Sequence, residues 1–380
     1  MTNKDQRGIY IHIPFCAKKC VYCDFLSAPE TDAVMKSYFD ALRREIRLAA
    51  REAAGDGTFA TVFFGGGTPG LPEAPYIADV LGEIRNCFDL SADAEITLET
   101  NPGLVSREKL AVYREAGVNR LSMGAQSMDD RELKLLGRIH TGRDIREGVA
   151  LARQAGFENL NLDLMEALPG QTPGQLEKNL TALTALSPEH ISVYSLILED
   201  GTYLAKHLKD FPPLPDEDTE RTMYWRTVQF LRDKGYEQYE ISNFAKPGRF
   251  CVHNTSYWER REYIGLGLGA SSLRRETRWS NTRNLQQYLK FSSLADIRRN
   301  VTALSREDAM AEFFYLGLRK TEGVALSEFQ DCFGVPAESV YGSVLSEHEK
   351  DGTLAVTNGR LTLTKRGLDV SNYILCDFLK

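Results

Sequence analysis

Gly8-Ile-Tyr-Ile-His-Ile-Pro-Phe-Cys16-Ala-Lys-Lys-Cys20-Val-Tyr-Cys23 carries an alternating apolar run straight into a loop with three thiols in eight residues. The run reads as a β-strand stopped at Pro14. Thiolates bind soft metals and iron–sulfur clusters. The next cysteine is Cys87, far along the chain. Three ligands, where a closed structural site takes four, point to a metal centre with one position left open for chemistry.

Outward from that strand, short apolar runs alternate with helix-length amphipathic stretches as far as residue 200. Strands are expected at Ile9–Ile13, Thr61–Phe64, Glu95–Glu99, Arg120–Met123, Asn159–Met165 and His190–Leu196. Ala33–Glu52 reads as a helix with Leu42, Ile46 and Leu48 on one face. Gly117 and Gly156 end helices that feed strands. Six β–α units imply a parallel sheet with right-handed crossovers, either a barrel or an open doubly wound sheet. Both bind ligands at the C-terminal ends of their strands. The Pro-rich stretch Phe211 to Asp218 reads as a linker before a helix. Later, helices at 306–320, 325–333 and 336–350 precede two strands around Asn358-Gly359. Helices followed by a hairpin suggest a small winged-helix-like domain, and its lack of basic bias favours a packing or partner surface over a DNA reader.

The bulk properties are those of a soluble globular chain. It has 380 residues, 42% hydrophobic and 26% charged, enough for two or three domains. Lys and Arg number 46 against 53 Asp and Glu, a net charge of −7 that offers no general attraction to nucleic acid. No apolar run approaches the roughly 20 residues of a membrane span. Met-Thr-Asn-Lys-Asp-Gln-Arg7 shows no signal-peptide pattern. Seven cysteines are too few and too sparse for a disulfide scaffold, which fits a reducing cytoplasm.

The remaining strand ends carry unusual residues. After the second strand comes Phe64-Gly-Gly-Gly-Thr-Pro-Gly70, whose glycines let backbone groups approach a ligand closely. It lacks the lysine of a P-loop and does not match G-x-G-x-x-G. Glu99-Thr-Asn-Pro102, Gly124-Ala-Gln-Ser127, Arg138 and Asp163 add acid, amide and guanidinium groups around the same rim. Singly, each reads equally well as a cap or turn residue. Together they describe a site for a small zwitterionic, hydroxyl-bearing ligand. A zinc site completed by Cys87, Cys251 or His12 is the alternative for the thiols.

These motifs, in this order, resemble the radical S-adenosylmethionine (SAM) superfamily: Cys16-x3-Cys20-x2-Cys23, Gly65-Gly-Gly-Thr-Pro69, Glu99-Thr-Asn-Pro102 and Leu168-Pro-Gly-Gln-Thr172. Within it, nearly the whole chain is similar to the oxygen-independent coproporphyrinogen III oxidase group. The resemblance implies an α/β fold: a partial (β/α)6 radical SAM barrel with a smaller, mainly helical, winged-helix-like C-terminal domain. The implied division is a core barrel over residues 1–240, a barrel-closing segment over 241–304 and the C-terminal domain over 305–380. Cys16, Cys20 and Cys23 would bind three irons of a 4Fe–4S cluster, with S-adenosyl-L-methionine chelating the fourth. Tyr10, Gly66 and Glu99 would line the cofactor nearest the cluster. Tyr22, Gly67, Thr68, Gln126, Arg138 and Asp163 match further cofactor-binding positions.

Two departures from the oxidase pattern stand out. The oxidase has another cysteine two residues after the third, where this chain reads Cys23-Asp24-Phe25. The oxidase also has a longer N-terminal extension, whereas nine residues precede Tyr10. With His253-Asn-Thr-Ser-Tyr-Trp258, both departures resemble the HemW-type heme chaperones of the same group.

His253, beside Tyr257 and Trp258, is the candidate heme ligand; the alternative is a histidine anchored by hydrogen bonds in an aromatic core. Neighbouring Cys251 is a second candidate, as a thiolate ligand, but reads better as a small buried hydrophobe. His190, His207 and His348 read as surface residues. Ile264-Gly-Leu-Gly-Leu-Gly-Ala270 reads as a lining of the barrel mouth or a close-packed strand turn.

The resemblance thus implies a cytoplasmic chaperone that binds heme, a 4Fe–4S cluster and S-adenosylmethionine. It would deliver heme to apo-hemoproteins such as respiratory enzymes, with membrane-peripheral association and a homodimer left open. The rival is an enzyme in which a 5′-deoxyadenosyl radical from the cofactor abstracts hydrogen from a porphyrinogen propionate and leads to decarboxylation.

Overall fold

The computed structural model describes residues 7–379, so the absence of a leader pattern, read from the first residues, lies largely outside the described residues. The first half runs β1 (Arg7–Ile13), α1 (Asp32–Glu52), β2 (Phe59–Gly66), α2 (Ala74–Cys87), β3 (Leu90–Thr100), α3 (Arg107–Ala116) and β4 (Arg120–Gln126). It continues through α4 (Asp130–Leu135), α5 (Gly142–Gln154), β5 (Leu160–Glu166), α6 (Pro173–Thr184) and β6 (His190–Ser195). All six strands expected from the sequence are present. They pair in parallel and in chain order, β1 to β6. A doubly wound sheet reverses its strand order at a switch point, and this one does not, so the architecture is a partial (β/α)6 barrel.

The pleat sorts side chains onto two faces. On β1, Ile9, Ile11 and Ile13 are fully buried in the apolar layer beneath the helices, where Leu42 and Ile46 of α1 also lie. Burial of each such side chain contributes about 1.5–3 kcal/mol. The alternate residues share the concave face. The register aligns Tyr10 with Phe63, Phe63 with Thr97, and Thr97 with Arg120. One layer on, Ser122 aligns with Asn161 and Asn161 with His190; further still, Gly124 aligns with Asp163. The barrel interior is therefore largely polar.

One local expectation is corrected. Leu48 is only half-buried, because it lies off the stripe formed by Tyr38, Leu42, Glu45, Ile46 and Ala49. Glu45 takes a core position instead, accepting from Gly267 N at 2.8 Å and Asn281 Nδ2 at 2.5 Å. Burial pushes its carboxyl up to about 7. The glycine-rich turn is close-packed, since a Cβ on Gly265 would lie 1.9 Å from Ser271 O.

Past β6 come α7 (Tyr203–Lys206), α8 (Glu217–Asp233), β7 (Glu237–Gln238), β8 (Asn243–Ala245) and α9 (Val252–Trp258). Then β9 (Tyr263–Leu266), β10 (Ser271–Arg274), β11 (Thr277–Asn281), α10 (Leu285–Lys290), α11 (Leu294–Ile297) and β12 (Arg298–Ala303) follow. β9 adds in parallel beside β1, and β10–β12 extend the sheet antiparallel; β8 and β7 finish the other edge. The result is one mixed sheet of twelve strands.

The C-terminal unit comprises α12 (Arg306–Gly317), β13 (Val324–Ala325), α13 (Leu326–Phe333), α14 (Ala337–Lys350), β14 (Leu354–Thr357), β15 (Arg360–Leu363), α15 (Lys365–Asp369) and α16 (Ser371–Cys376). It has its own apolar core around Phe314, Phe329, Tyr341 and Phe378. The hairpin turns at Asn358 and Gly359, both with positive φ, and β13 joins it as a third strand. Among the described residues no helix is long and apolar enough to cross a membrane.

Candidate metal and cofactor site

Pro14 ends β1, and the chain then makes a closed loop. Cys16 N donates to Ala28 O and Ala28 N returns to Pro14 O, so residues 16–28 leave and rejoin the strand end at one point. The glycine loop after β2 is stitched beside it, Gly67 N donating to Ile13 O (2.9 Å) and Thr68 N to Phe15 O (2.8 Å). Gly66, at φ +113°, leaves room for the His12 ring, which a Cβ would meet at 2.5 Å.

A chain of polar contacts then ties four strand ends together. Cys16 Sγ lies 3.4 Å from Thr68 Oγ1, which accepts from Asn101 Nδ2 at 3.2 Å. Asn101 Oδ1 accepts from Arg138 at 2.5 Å, and Arg138 also donates to Gly124 O at 2.8 Å and Cys20 Sγ at 3.5 Å. Gly124 must lack a side chain for the guanidinium to pass: a Cβ there would sit 3.1 Å from Arg138 Nη2 and 2.9 Å from Gln126. Gln126 itself holds a left-handed backbone at a bulge and accepts from Tyr194 OH at 2.8 Å. Behind the loop, the Lys109 ammonium donates to three successive carbonyls, Gly70, Leu71 and Pro72, at 2.9–3.0 Å.

These groups enclose a cavity of about 380 Å³, within the size range of small-molecule sites. Cys16, Cys20, Cys23, Tyr22, Gly66, Gly67, Thr68, Glu99, Gln126, Arg138 and Asp163 all line it. Glu99, half-buried beside Asp163, has its carboxyl pushed up to about 8 by desolvation first and by that neighbouring acid second, while Gly66 N donates to it at 3.2 Å. Burial also raises Asp163, which accepts from Asn161 at 2.7 Å. Tyr194, Lys109 and Phe25 belong to this site without having been expected there. Of the three, only the exposed Phe25, at the cavity wall in the position where the oxidase pattern has cysteine, carries a mark in the sequence.

Tyr10, expected at the cofactor, and His253, the heme candidate, lie outside this cavity. The Tyr10 hydroxyl bonds His12 Nδ1 at 3.0 Å and the ring faces a second cavity. His253 sits beyond it, at the N-terminal end of the strands. There α9 plugs the barrel, its first N–H groups, Val252 and His253, donating to Glu95. His253 is 1% exposed, stacked on Phe63, with Nδ1 2.7 Å from Thr61 Oγ1 and Nε2 2.8 Å from Tyr257 OH. Burial lowers its pKa to about 3. This is the anchored arrangement, and a ring nitrogen would reach iron only by giving up Thr61 or Tyr257.

The surface reading of two other histidines is overturned. His190 is fully buried on the concave face between Asn161 (2.7 Å) and Tyr239 (2.8 Å). His348 is buried between Thr353 and Asp377. Both are held by polar partners brought to them by the fold.

The thiols fit a cluster better than zinc. Cys87, Cys251 and His12, the proposed fourth zinc ligands, all lie off the thiol cavity. Among the described residues no set of three His, Cys, Asp or Glu side chains is placed to hold a single metal ion. A cluster presents a separate iron to each thiolate and needs no such convergence.

Fold and site together define a protein of the radical SAM superfamily, whose family model matches residues 10–183; that of the HemN C-terminal domain matches residues 304–370. The Lactococcus lactis subsp. lactis (strain IL1403) protein named Heme chaperone HemW is 35% identical over 97% of this chain and 96% of its own length. Its namesake from Escherichia coli (strain K12) is 36% identical over 100% of both. A solved structure described as coproporphyrinogen III oxidase (HemN) from Escherichia coli superposes with a TM-score of 0.85. It covers 99% of this chain and 91% of that one at 24% identity, and so speaks to the fold alone. The chain belongs to the HemW family.

Proposed function

We propose that this chain is a heme chaperone that holds a 4Fe–4S cluster through Cys16, Cys20 and Cys23 and binds S-adenosylmethionine in the adjoining cavity. The observation that carries the cofactor reading is three thiols on one cavity with no fourth cysteine and no histidine among the described residues that line it. A cluster bound there would supply one-electron chemistry to the sulfonium of the cofactor. Glu99 and Asp163 offer acids for an ammonium or ribose hydroxyls, and Arg138 offers a fork for a carboxylate. Gly66, Gly67 and Thr68 would back the cofactor with main chain. The chaperone reading rests on full-length similarity to relatives named heme chaperones. In this reading heme is cargo passed to apo-hemoproteins, respiratory enzymes among them.

The test is anaerobic reconstitution followed by two assays. Heme titrated by its Soret band should bind stoichiometrically, and coproporphyrinogen with a reductant and S-adenosylmethionine should yield no protoporphyrinogen. Turnover at an enzymatic rate, or no heme binding, would overturn the chaperone reading.

A further inference from the structure

A second cavity, of about 450 Å³, lies across the Tyr10–His12 pair from the thiol cavity and shares no lining residue with it. One wall is aromatic and aliphatic: Tyr257 and Trp258 of α9, Tyr263 of β9, Leu273 of β10 and Leu316 of α12. Arg260, Arg261 and Arg278 complete it. Helix α12 belongs to the C-terminal unit, so the cavity is closed from both parts of the chain.

The arginines are held in place by acids. Arg260 donates to Glu312 at 2.6 Å and grips Glu276 with its fork; Arg278 donates to Glu312 at 2.6 Å and Arg261 pairs with Glu259. A guanidinium has five donors, so neither Arg261 nor Arg278 is saturated by its one acid. The Glu276 side chain is 58% exposed, and such an ion pair gives way to a competing carboxylate at little cost.

An aromatic and aliphatic wall beside clustered guanidiniums suits an apolar body that carries carboxylates. Resting on the heme-carrying reading, we infer that this cavity holds the tetrapyrrole dicarboxylate cargo, with Arg261 and Arg278 reading its propionates. The macrocycle packs on Trp258, Tyr257 and Leu273, and α12 closes over it. The cargo site is then separate from the thiol cavity.

The experiment titrates hemin and hemin dimethyl ester, which lacks free carboxylates, into the full-length protein. Wild type should prefer hemin by about tenfold, the scale of one or two charge-assisted hydrogen bonds. Arg261→Gln with Arg278→Gln should abolish that preference. Ser271→Trp, at an exposed position on the cavity wall, should block both ligands while leaving iron content and thermal unfolding unchanged. If wild type binds hemin and all variants titrate like it, the cavity assignment is wrong and the carrier reading stands. If wild type binds no hemin, the carrier reading falls, and this assignment with it.

Discussion

At the C-terminal end of the strands, Cys16, Thr68, Asn101, Arg138 and Cys20 are linked around an open cavity by contacts that reach 3.5 Å. At the N-terminal end, His253 has both ring nitrogens engaged at 2.7 and 2.8 Å beneath a plugging helix. The same concave face supplies both, and burial acts on both in the same way. It raises Glu99 to about 8 at one end and lowers His253 to about 3 at the other, so each is held neutral. The difference lies in what remains to be bound. The histidine is satisfied and acts as structure, whereas the acids, thiols and guanidinium converge on space.

Breaking each end should therefore have different consequences. The largest effect belongs to the thiols: Cys20→Ala should remove bound iron and the cluster's visible absorbance entirely, with little change in thermal unfolding. At the plug, His253→Ala strands Thr61 and Tyr257 and leaves a ring-sized void, costing about 3 kcal/mol. Denaturant unfolding should report that loss while iron content stays at the wild-type level; an unchanged midpoint would remove His253 from the core account.

A smaller effect follows from Glu99. Asp163, Arg120, Tyr10 and the Gly66 N–H surround it. It keeps its proton up to about pH 8 in the free protein, and a cationic ligand prefers the carboxylate. S-adenosylmethionine affinity should thus rise about fivefold from pH 7 to pH 8 and level off above. Equilibrium dialysis across that range checks it, and Glu99→Gln should flatten the profile. Smallest is Lys109→Met, which frees the carbonyls of Gly70 to Pro72 and should weaken cofactor binding about threefold. Isothermal titration with cluster-loaded protein reads this directly, and unaltered affinity would show that the glycine loop holds itself.

The contrast also explains what the sequence made legible. The β1 isoleucines alternate with Gly8, Tyr10 and His12, and pleating alone sends the two sets to opposite faces. The thiol loop and the glycine loop each lie within one short stretch, so residue type and spacing are enough to declare their chemistry. Glu45, Arg120 and His190 gave no such indication. Each is an ordinary polar residue in a helix or at a strand start, and its burial follows from partners on other elements. Asn281 and Gly267 hold Glu45, and Tyr239 holds His190. Tyr10 is assigned to the cofactor by the family resemblance alone, and it lines the second cavity, whose walls meet only in the folded chain. The departure from the oxidase pattern at Phe25 is visible in sequence, and the structure adds that this side chain is 67% exposed at the cavity wall.

The central claim is that three thiols hold a cluster whose remaining iron opens onto a cofactor cavity. The most direct measurement is the EPR spectrum of anaerobically reconstituted, reduced protein titrated with S-adenosylmethionine. The expected result is a reduced 4Fe–4S signal that shifts saturably as the cofactor binds and is absent in Cys20→Ala. A cluster signal indifferent to S-adenosylmethionine, or protein that retains zinc and takes up no iron, would contradict it.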